Sequence, residues 1–346
     1  MIPREGRRKI LKLLEKKGEI WYNFIWYTEL LAEGDGTMEK GHATTEYGYA
    51  KINLHLDIVG RLTDGYHAVE TVMQTISICD EVTVLLRDAS GFFATCDVAG
   101  VPPDEKNLAV RAAGLFCRHT GKSLGGEIRI RKKIPMAAGM AGGSADGAAV
   151  LRALNQLCGE PLTLNELCLL GSKLGADVPF CIVGGSAYAD GKGDVLHPFP
   201  SMPDCVLVAA CEGEGVSTPW AYGLLDRKYH DFSSEYDYIP RKTDGLRQAL
   251  ERNDLGAVCE NMYNIFEEPI LTERLVAARV KRILLEEGAI GAMMSGSGPS
   301  VFGVFDNEKE AENARDALAS EGYRPYVCRP ISFYKYKGKD DEIGVL

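Results

Sequence analysis

IPMAAGMAGGSADGAAVLRALNQL, residues 134–157, passes from a glycine-rich loop into a helix. Val150, Leu151, Leu154 and Leu157 fall at i, i+1, i+4 and i+7, one apolar stripe of an amphipathic helix. Just upstream, Ile128 and Ile130 alternate with Arg129 and Arg131, the period of a half-buried strand. The order is strand, glycine loop, helix N-terminus. Such a loop aims free backbone N–H groups and the positive end of a helix at one spot, which suits an anion such as phosphate. Gly139, Gly142 and Gly143 permit φ > 0 and close approach of a ligand to the backbone.

Two familiar phosphate binders are excluded. The only Gly-Lys-Ser, at 121–123, has Phe116 where a P-loop requires its first glycine. Protein-kinase signatures such as His-Arg-Asp and Asp-Phe-Gly are absent.

A chain of 346 residues can bury a large core and is expected to form two domains. Its net charge of −10 argues against a general nucleic-acid binder but leaves room for a local positive pocket. Ten cysteines without a Cys-x-x-Cys pair indicate neither zinc nor a disulfide framework, and point to reduced thiols in a cytoplasmic protein. No apolar run reaches the roughly 18–20 residues of a membrane span, and no secretory signal is visible.

Residues 1–43 differ from the rest: a basic stretch with Ile10, Leu11, Leu13 and Leu14, then the aromatic patch Trp21–Tyr27. We read them as a poorly ordered extension without assigned function, with Met38 as an alternative start. From Tyr49 to Leu56 a strand is expected, with Ile52, Leu54 and Leu56 on one face and Lys51, Asn53 and His55 on the other. A turn at Asp64-Gly65 presents Tyr66 and His67.

Val69–Ser77 and Asp80–Leu86 are expected as two paired strands, and Asn107–His119 as a helix. Thr163–Glu166 forms a capping box, opening a helix that should stop at Gly175 as its C′ residue. Asp177 then stands between that helix and an apolar run, a costly place unless it is solvated, capped or functional. Cys181–Tyr188 and Val206–Cys211 read as strands, Thr218–Tyr222 as a helix entry with Pro219 in its first turn, and Tyr229–Lys242 as a loop. Helices over Thr243–Glu251, Leu255–Phe266 and Thr272–Glu287 lead to a hairpin at Ala289–Phe305 around Ser295–Ser300. A helix at Glu308–Glu321, a strand at Arg324–Val327 and a charged, fraying tail from Tyr336 close the chain.

Taken in order, AKINLHLDIVGRLTDGYH (50–67), NLAVRAA (107–113), IPMAAGMAGGSADGAA (134–149), GADVPF (175–180) and SGSGPS (295–300) resemble the GHMP small-molecule kinases over roughly residues 47–335. AKINL together with DGYH resembles the branch that acts on a cytidine diphosphate-linked methylerythritol. The resemblance implies an α+β, two-domain GHMP kinase fold with a deep active-site cleft between the domains, residues 44–200 and 201–335. It implies ATP with Mg2+ as cofactors, with no metal ligand assigned, and a small-molecule substrate in place of nucleic acid or membrane; monomer and homodimer both remain open.

Asp177 would be the general base for a substrate hydroxyl, with Lys51 beside it neutralising charge on the hydroxyl and the transferring phosphoryl group. Asn53 would complete the polar floor, Tyr66 and His67 would hold the cytosine ring, and Tyr222 would supply an opposing aromatic face. For ATP the resemblance implies Pro135, Met136, Ala137, Ala138, Gly139, Met140, Ala141, Gly142, Gly143 and Ser144 around the phosphates. Asn107 would lie near the adenine, and Gly296, Ser297 and Gly298 would close the cleft. The chain departs from the family at Ala141, where Gly is frequent, and at Ala145, where Ser or Thr is, followed by Asp146-Gly147 in place of Asp-Ala. Rival readings are a mevalonate- or homoserine-type GHMP kinase and a catalytically silent nucleotide-binding module.

Overall fold

The computed structural model describes residues 43–211, 215–232 and 238–332, so residues 1–42 of the N-terminal extension and the tail from Tyr336 lie outside the described residues, while Ala43, read as the end of the extension, opens the first strand. Two β-sheets carry the fold. The first is built on Ala43–Arg61 (β1) and His67–Arg87 (β2), an antiparallel pair joined by the Asp64-Gly65 turn. Gly91–Cys96 (β3), Gly125–Arg131 (β4), Ser186–Asp190 (β5) and Val195–Pro198 (β6) extend it. The order is β3-β4-β2-β1, and β5, paired to the other half of β2, carries β6. The second sheet runs Pro325–Cys328 (β11), Val206–Ala210 (β7), Val301–Phe305 (β10), Gly291–Met294 (β9), all antiparallel. One short strand from the second half of the chain, Tyr263–Asn264 (β8), instead lies parallel to β1 in the first sheet.

Helices pack on these sheets. Leu108–Thr120 (α1) and Gly142–Leu157 (α2) cover the first, where Val150, Leu151 and Leu154 are fully buried, as their stripe predicts. Gly48 of β1 sits under the first turn of α2, where a side chain would meet the Ala145 carbonyl oxygen at 2.7 Å. Arg152, completely buried, fastens α2 by donating to Glu46 Oε2, the Tyr47 carbonyl and the Cys181 carbonyl at 2.8–3.0 Å. Leu164–Ser172 (α3) begins at the capping box expected at Thr163 and Glu166. Asp177–Val183 (α4), Thr218–Lys228 (α5), Asp244–Glu251 (α6), Leu255–Glu260 (α7), Glu267–Glu273 (α8), Leu275–Glu286 (α9) and Glu308–Ser320 (α10) complete the set. Pro219 stands in the first turn of α5 as read, and all ten cysteines are free.

Several expectations fail for physical reasons. Val69–Ser77 and Asp80–Leu86 are one unbroken strand, because buried Asp80 is satisfied in place by the N–H groups of Lys133 and Ile134, at 2.6 and 2.9 Å, and by Lys132. Helix α3 ends at Ser172, and Gly175 is not left-handed; its carbonyl accepts from Val178 and leads into α4. The apolar run after Asp177 is therefore helix to Val183, and only Ser186 onward is strand. Leu255–Phe266 is helical only to Glu260, since Asn264 is drawn into β8, its amide donating to the carbonyls of Met294 and Gly296. The helix placed at Thr272–Glu287 is two, broken at Arg274. Strand β3 was not foreseen.

Candidate active site

A cleft of about 410 Å3 lies where the first sheet, the glycine loop and the second sheet meet, within the size range of small-molecule sites. Its floor is the polar face of β1. Lys51 and Asn53 are almost wholly buried, and Lys51 Nζ donates to Asn53 Oδ1 at 2.7 Å. Asn53 Nδ2 donates in turn to Thr71 Oγ1 at 2.8 Å, and Thr71 to the His55 carbonyl at 2.7 Å. A relay of hydrogen bonds thus holds the ammonium in one orientation. The β1–β2 register shifts between Tyr49 and Lys51 and between Asn53 and His55. Irregularities of this kind re-aim side chains beside active sites. Here one leaves the Lys51 N–H to donate to the Met140 carbonyl at 3.2 Å, joining the floor to the glycine loop.

The loop supplies one wall: Ala137, Ala138, Gly139, Ala141, Gly142, Gly143 and Ser144 line the cleft. Ala141 is the N-cap of α2 and holds a left-handed backbone, φ 58° and ψ 29°. That conformation costs a residue with a Cβ about 1–2 kcal/mol, which explains why glycine is frequent there in the family it resembles. Pro135, Met136 and Met140 do not line the cleft; Met140 is buried behind the loop and Met136 is exposed.

The turn between β9 and β10 closes the loop from the other sheet. Ser295 Oγ donates to the Gly139 carbonyl at 3.0 Å, and Ser300 N to the Ala138 carbonyl at 3.2 Å. Gly296 and Ser297 line the cleft, whereas Gly298 does not. Gly139 has φ +77°, and a Cβ there would stand 2.1 Å from the Ser295 carbonyl oxygen. Gly139→Ala is therefore expected to lower stability by about 2–3 kcal/mol and weaken ATP binding at least about tenfold, through combined φ strain and overpacking. Thermal unfolding and calorimetric titration with ATP would measure both; wild-type affinity in the variant would refute the contact's role in shaping the nucleotide site.

Asp177 enters the cleft from the first residue of α4. Among the described residues no ion pair joins it to Lys51, and the lysine engages Asn53. Both charges nevertheless converge on this corner. Burial pushes the Cys181 thiol up, the Asp177 carboxylate adds to the rise, and Lys51 opposes it. Burial likewise raises the Tyr222 phenol to about 12, with Asp177 and Asp226 contributing, so this ring stays protonated.

Tyr222, Phe266 and Val69 form the far, apolar end of the cleft, and Lys192 and Gly193 of the turn between β5 and β6 its rim. Tyr66 and His67 do not line the cavity itself. His67 stacks on Tyr222 with ring centres 4.5 Å apart, and Tyr66 is 62% exposed with Lys192 Nζ 4.0 Å from its ring centre. Asn107 is also absent from the lining. Its side chain caps α1, accepting from Ala109 N at 2.9 Å and donating to the Pro102 carbonyl at 3.0 Å. Thr71, Lys192, Thr218 and Phe266 line the cleft but were not singled out in the sequence. Only Lys192, a cation between two turn glycines, carried a readable signal.

A second cavity, about 460 Å3, lies beneath Tyr238, Arg241 and Tyr263. It holds none of the candidate residues, has no glycine loop, and is bordered by Glu267 and Glu268, whose charge opposes phosphate. The candidate residues gather in the cleft instead.

A strand–glycine loop–helix facing a buried lysine and a carboxylate has the make-up that phosphoryl transfer asks for, and comparisons with known proteins give the class of the chain. Residues 107–185 match the profile of the GHMP kinases N terminal domain, and residues 246–324 that of the GHMP kinases C terminal domain. The chain belongs to the GHMP kinases, ATP-dependent enzymes that phosphorylate small molecules. Within that family it falls with the 4-diphosphocytidyl-2-C-methyl-D-erythritol kinases. The one from Synechococcus sp. (strain JA-3-3Ab) is 44% identical over 278 residues, 80% of this chain and 89% of that protein. The one from Acetivibrio thermocellus is 41% identical over 82% of this chain and 97% of its own length. A crystal structure of 4-(cytidine 5'-diphospho)-2C-methyl-D-erythritol kinase superposes with a TM-score of 0.69 at 30% identity, covering 83% of this chain and 99% of that one. A homoserine kinase from Cytophaga hutchinsonii, at 20% identity and TM-score 0.65 over 87% of this chain and 98% of that one, shares the fold.

Proposed function

We propose that the protein transfers the γ-phosphoryl group of ATP to the 2-hydroxyl of 4-diphosphocytidyl-2-C-methyl-D-erythritol, giving the 2-phosphate and ADP, a step of non-mevalonate isoprenoid precursor biosynthesis. The observation that carries this reading is the convergence of Lys51, Asn53 and Asp177 on one cleft opposite the glycine loop, in a chain 44% identical to a kinase of that name. We place the boundary between the two lobes near residue 200, with Tyr263–Asn264 crossing back to the first sheet.

Phosphoryl transfer passes through a loose transition state, so the protein contributes mainly position and charge. The N–H groups of the loop and the N-terminus of α2 hold the triphosphate against Gly142, Gly143 and Ser144. The substrate hydroxyl lies between Asp177 and Lys51. As its oxygen bonds to the γ-phosphorus, its proton passes to Asp177 and the bond to the bridging oxygen of ADP breaks. Lys51, held by Asn53, meets the negative charge that builds on the transferring group. Mg2+, a hard cation served by oxygen donors, fits a site that offers the Ser144 hydroxyl beside the triphosphate. Bound there, it would neutralise charge on the β and γ oxygens. The substrate's base occupies the apolar end, near Tyr222 and the His67 stacked on it. Its diphosphate runs past Lys192.

Steady-state phosphorylation of the cytidyl substrate, compared with mevalonate and homoserine, tests the reading. Activity confined to an alcohol without cytosine would overturn it.

A further inference from the structure

We infer that Asp226 is a positioning residue for base recognition: its carboxylate sets the tautomer of His67 and thereby selects cytosine over uracil. The inference rests on the substrate reading above. Asp226 lies one helical turn beyond Tyr222 on α5. Its Oδ1 meets His67 Nε2 at 2.7 Å and Arg61 Nη2 at 2.8 Å. Arg61 Nη1 also donates to the Gly65 carbonyl at 2.9 Å, so one carboxylate ties both ends of the turn that carries Tyr66 and His67 to helix α5. The His67 ring is gripped as well, stacked on Tyr222 at 4.5 Å and edge-on to Phe232 at 5.7 Å.

A carboxylate only accepts, so the ring nitrogen facing it carries a proton. In the neutral imidazole that leaves Nδ1 with its lone pair, the ring nitrogen that would accept from a base held beside Tyr222. Cytosine presents an amino group at C4, a donor; uracil presents a carbonyl oxygen there, an acceptor. An Nδ1 acceptor therefore pairs with cytosine and confronts uracil lone pair to lone pair. A polar group that must be paired discriminates far more strongly than apolar fit. Tyr222 cannot supply this distinction, since stacking accepts either pyrimidine.

The test compares the cytidyl substrate with its uridyl analogue in the full-length wild-type chain, Asp226→Leu and Asp226→Asn. In Asp226→Leu the preference for the cytidyl substrate in kcat/KM is expected to fall at least about tenfold, through KM for that substrate rather than KM for ATP. Asp226→Asn, whose side-chain carbonyl still accepts from Nε2–H, is expected to keep most of the preference. An undiminished preference in a folded Asp226→Leu overturns the inference while leaving the substrate reading intact. A wild-type chain without any preference between the two bases overturns both. Should Asp226→Leu fail to fold, nitrogen NMR of the His67 ring in the wild-type chain decides: protonated Nε2 with bare Nδ1 is expected, and the opposite neutral tautomer refutes it.

Discussion

Asp177→Asn is expected to lower kcat by about 10²–10⁴-fold, the usual contribution of a positioned general base, while ATP affinity stays within a few-fold. Asparagine matches the volume of aspartate but cannot take the hydroxyl proton. No hydrogen bond or ion pair anchors the Asp177 carboxylate among the described residues, so the exchange breaks no structural contact, and unfolding should move by less than about 0.5 kcal/mol. In the proposed mechanism the nucleotide is gripped elsewhere, by loop N–H groups that a change on α4 does not touch. Loss of turnover at constant ATP affinity and constant stability is the signature of an interaction made only in the transition state. A kcat within threefold of wild type would remove Asp177 from the base role.

How far these roles could be read beforehand depended on the distance over which each is built. The loop at 134–149 is local: strand, glycines and helix stripe lie within 30 residues, so its anion-binding shape was legible. The hairpin around Ser295–Ser300 and the capping box at Thr163 were legible for the same reason. Asp80 was not, because its satisfaction in mid-strand comes from Lys132, Lys133 and Ile134, some 50 positions on. Asp226 and His67 are separated by 159 positions, and nothing in either neighbourhood announces the other. Asn107 has a role that is local too: its amide caps the helix it precedes. The pairing of Lys51 with Asn53 rather than Asp177 follows from strand geometry, since residues two apart share a face.

The largest structural effect is expected at Lys132. This lysine follows β4, and its side chain is 6% exposed, with Nζ 2.5 Å from Asp80 Oδ2 and 2.9 Å from Asp146 Oδ2. Asp80 belongs to β2 and Asp146 to α2, so a single ammonium bridges the sheet to the helix whose N-terminus bounds the phosphate loop. It lies directly behind that loop, 3.2 Å from where a side chain on Gly142 would begin. Burial works against the charge of Lys132, yet the carboxylates of Asp146 and Asp80 outweigh it and hold the ammonium above its usual range. Burial pushes the Asp146 carboxyl up to about 7, Lys132 pulling it down and Asp80 adding to the rise. Lys132→Met keeps the length of the side chain but leaves two buried carboxylates facing each other. Breaking a buried ion pair by removing one partner costs about 3–5 kcal/mol.

The sign of the pH dependence follows from the same groups. A carboxyl whose folded pKa lies above its unfolded value binds its proton more tightly in the folded state, so folding is favoured at low pH and loses ground as pH rises through that pKa. Without Lys132 the Asp146 pKa rises further. The deficit of Lys132→Met against wild type should therefore be largest above about pH 7 and shrink below it, as the protonated carboxyl tolerates its burial. Thermal unfolding of both proteins between pH 5 and pH 9 would check this, with ATP binding at each pH reporting whether the loop loosens with the helix. Equal stability at pH 8 would mean that the two carboxylates find other partners and that the glycine loop is not braced from behind.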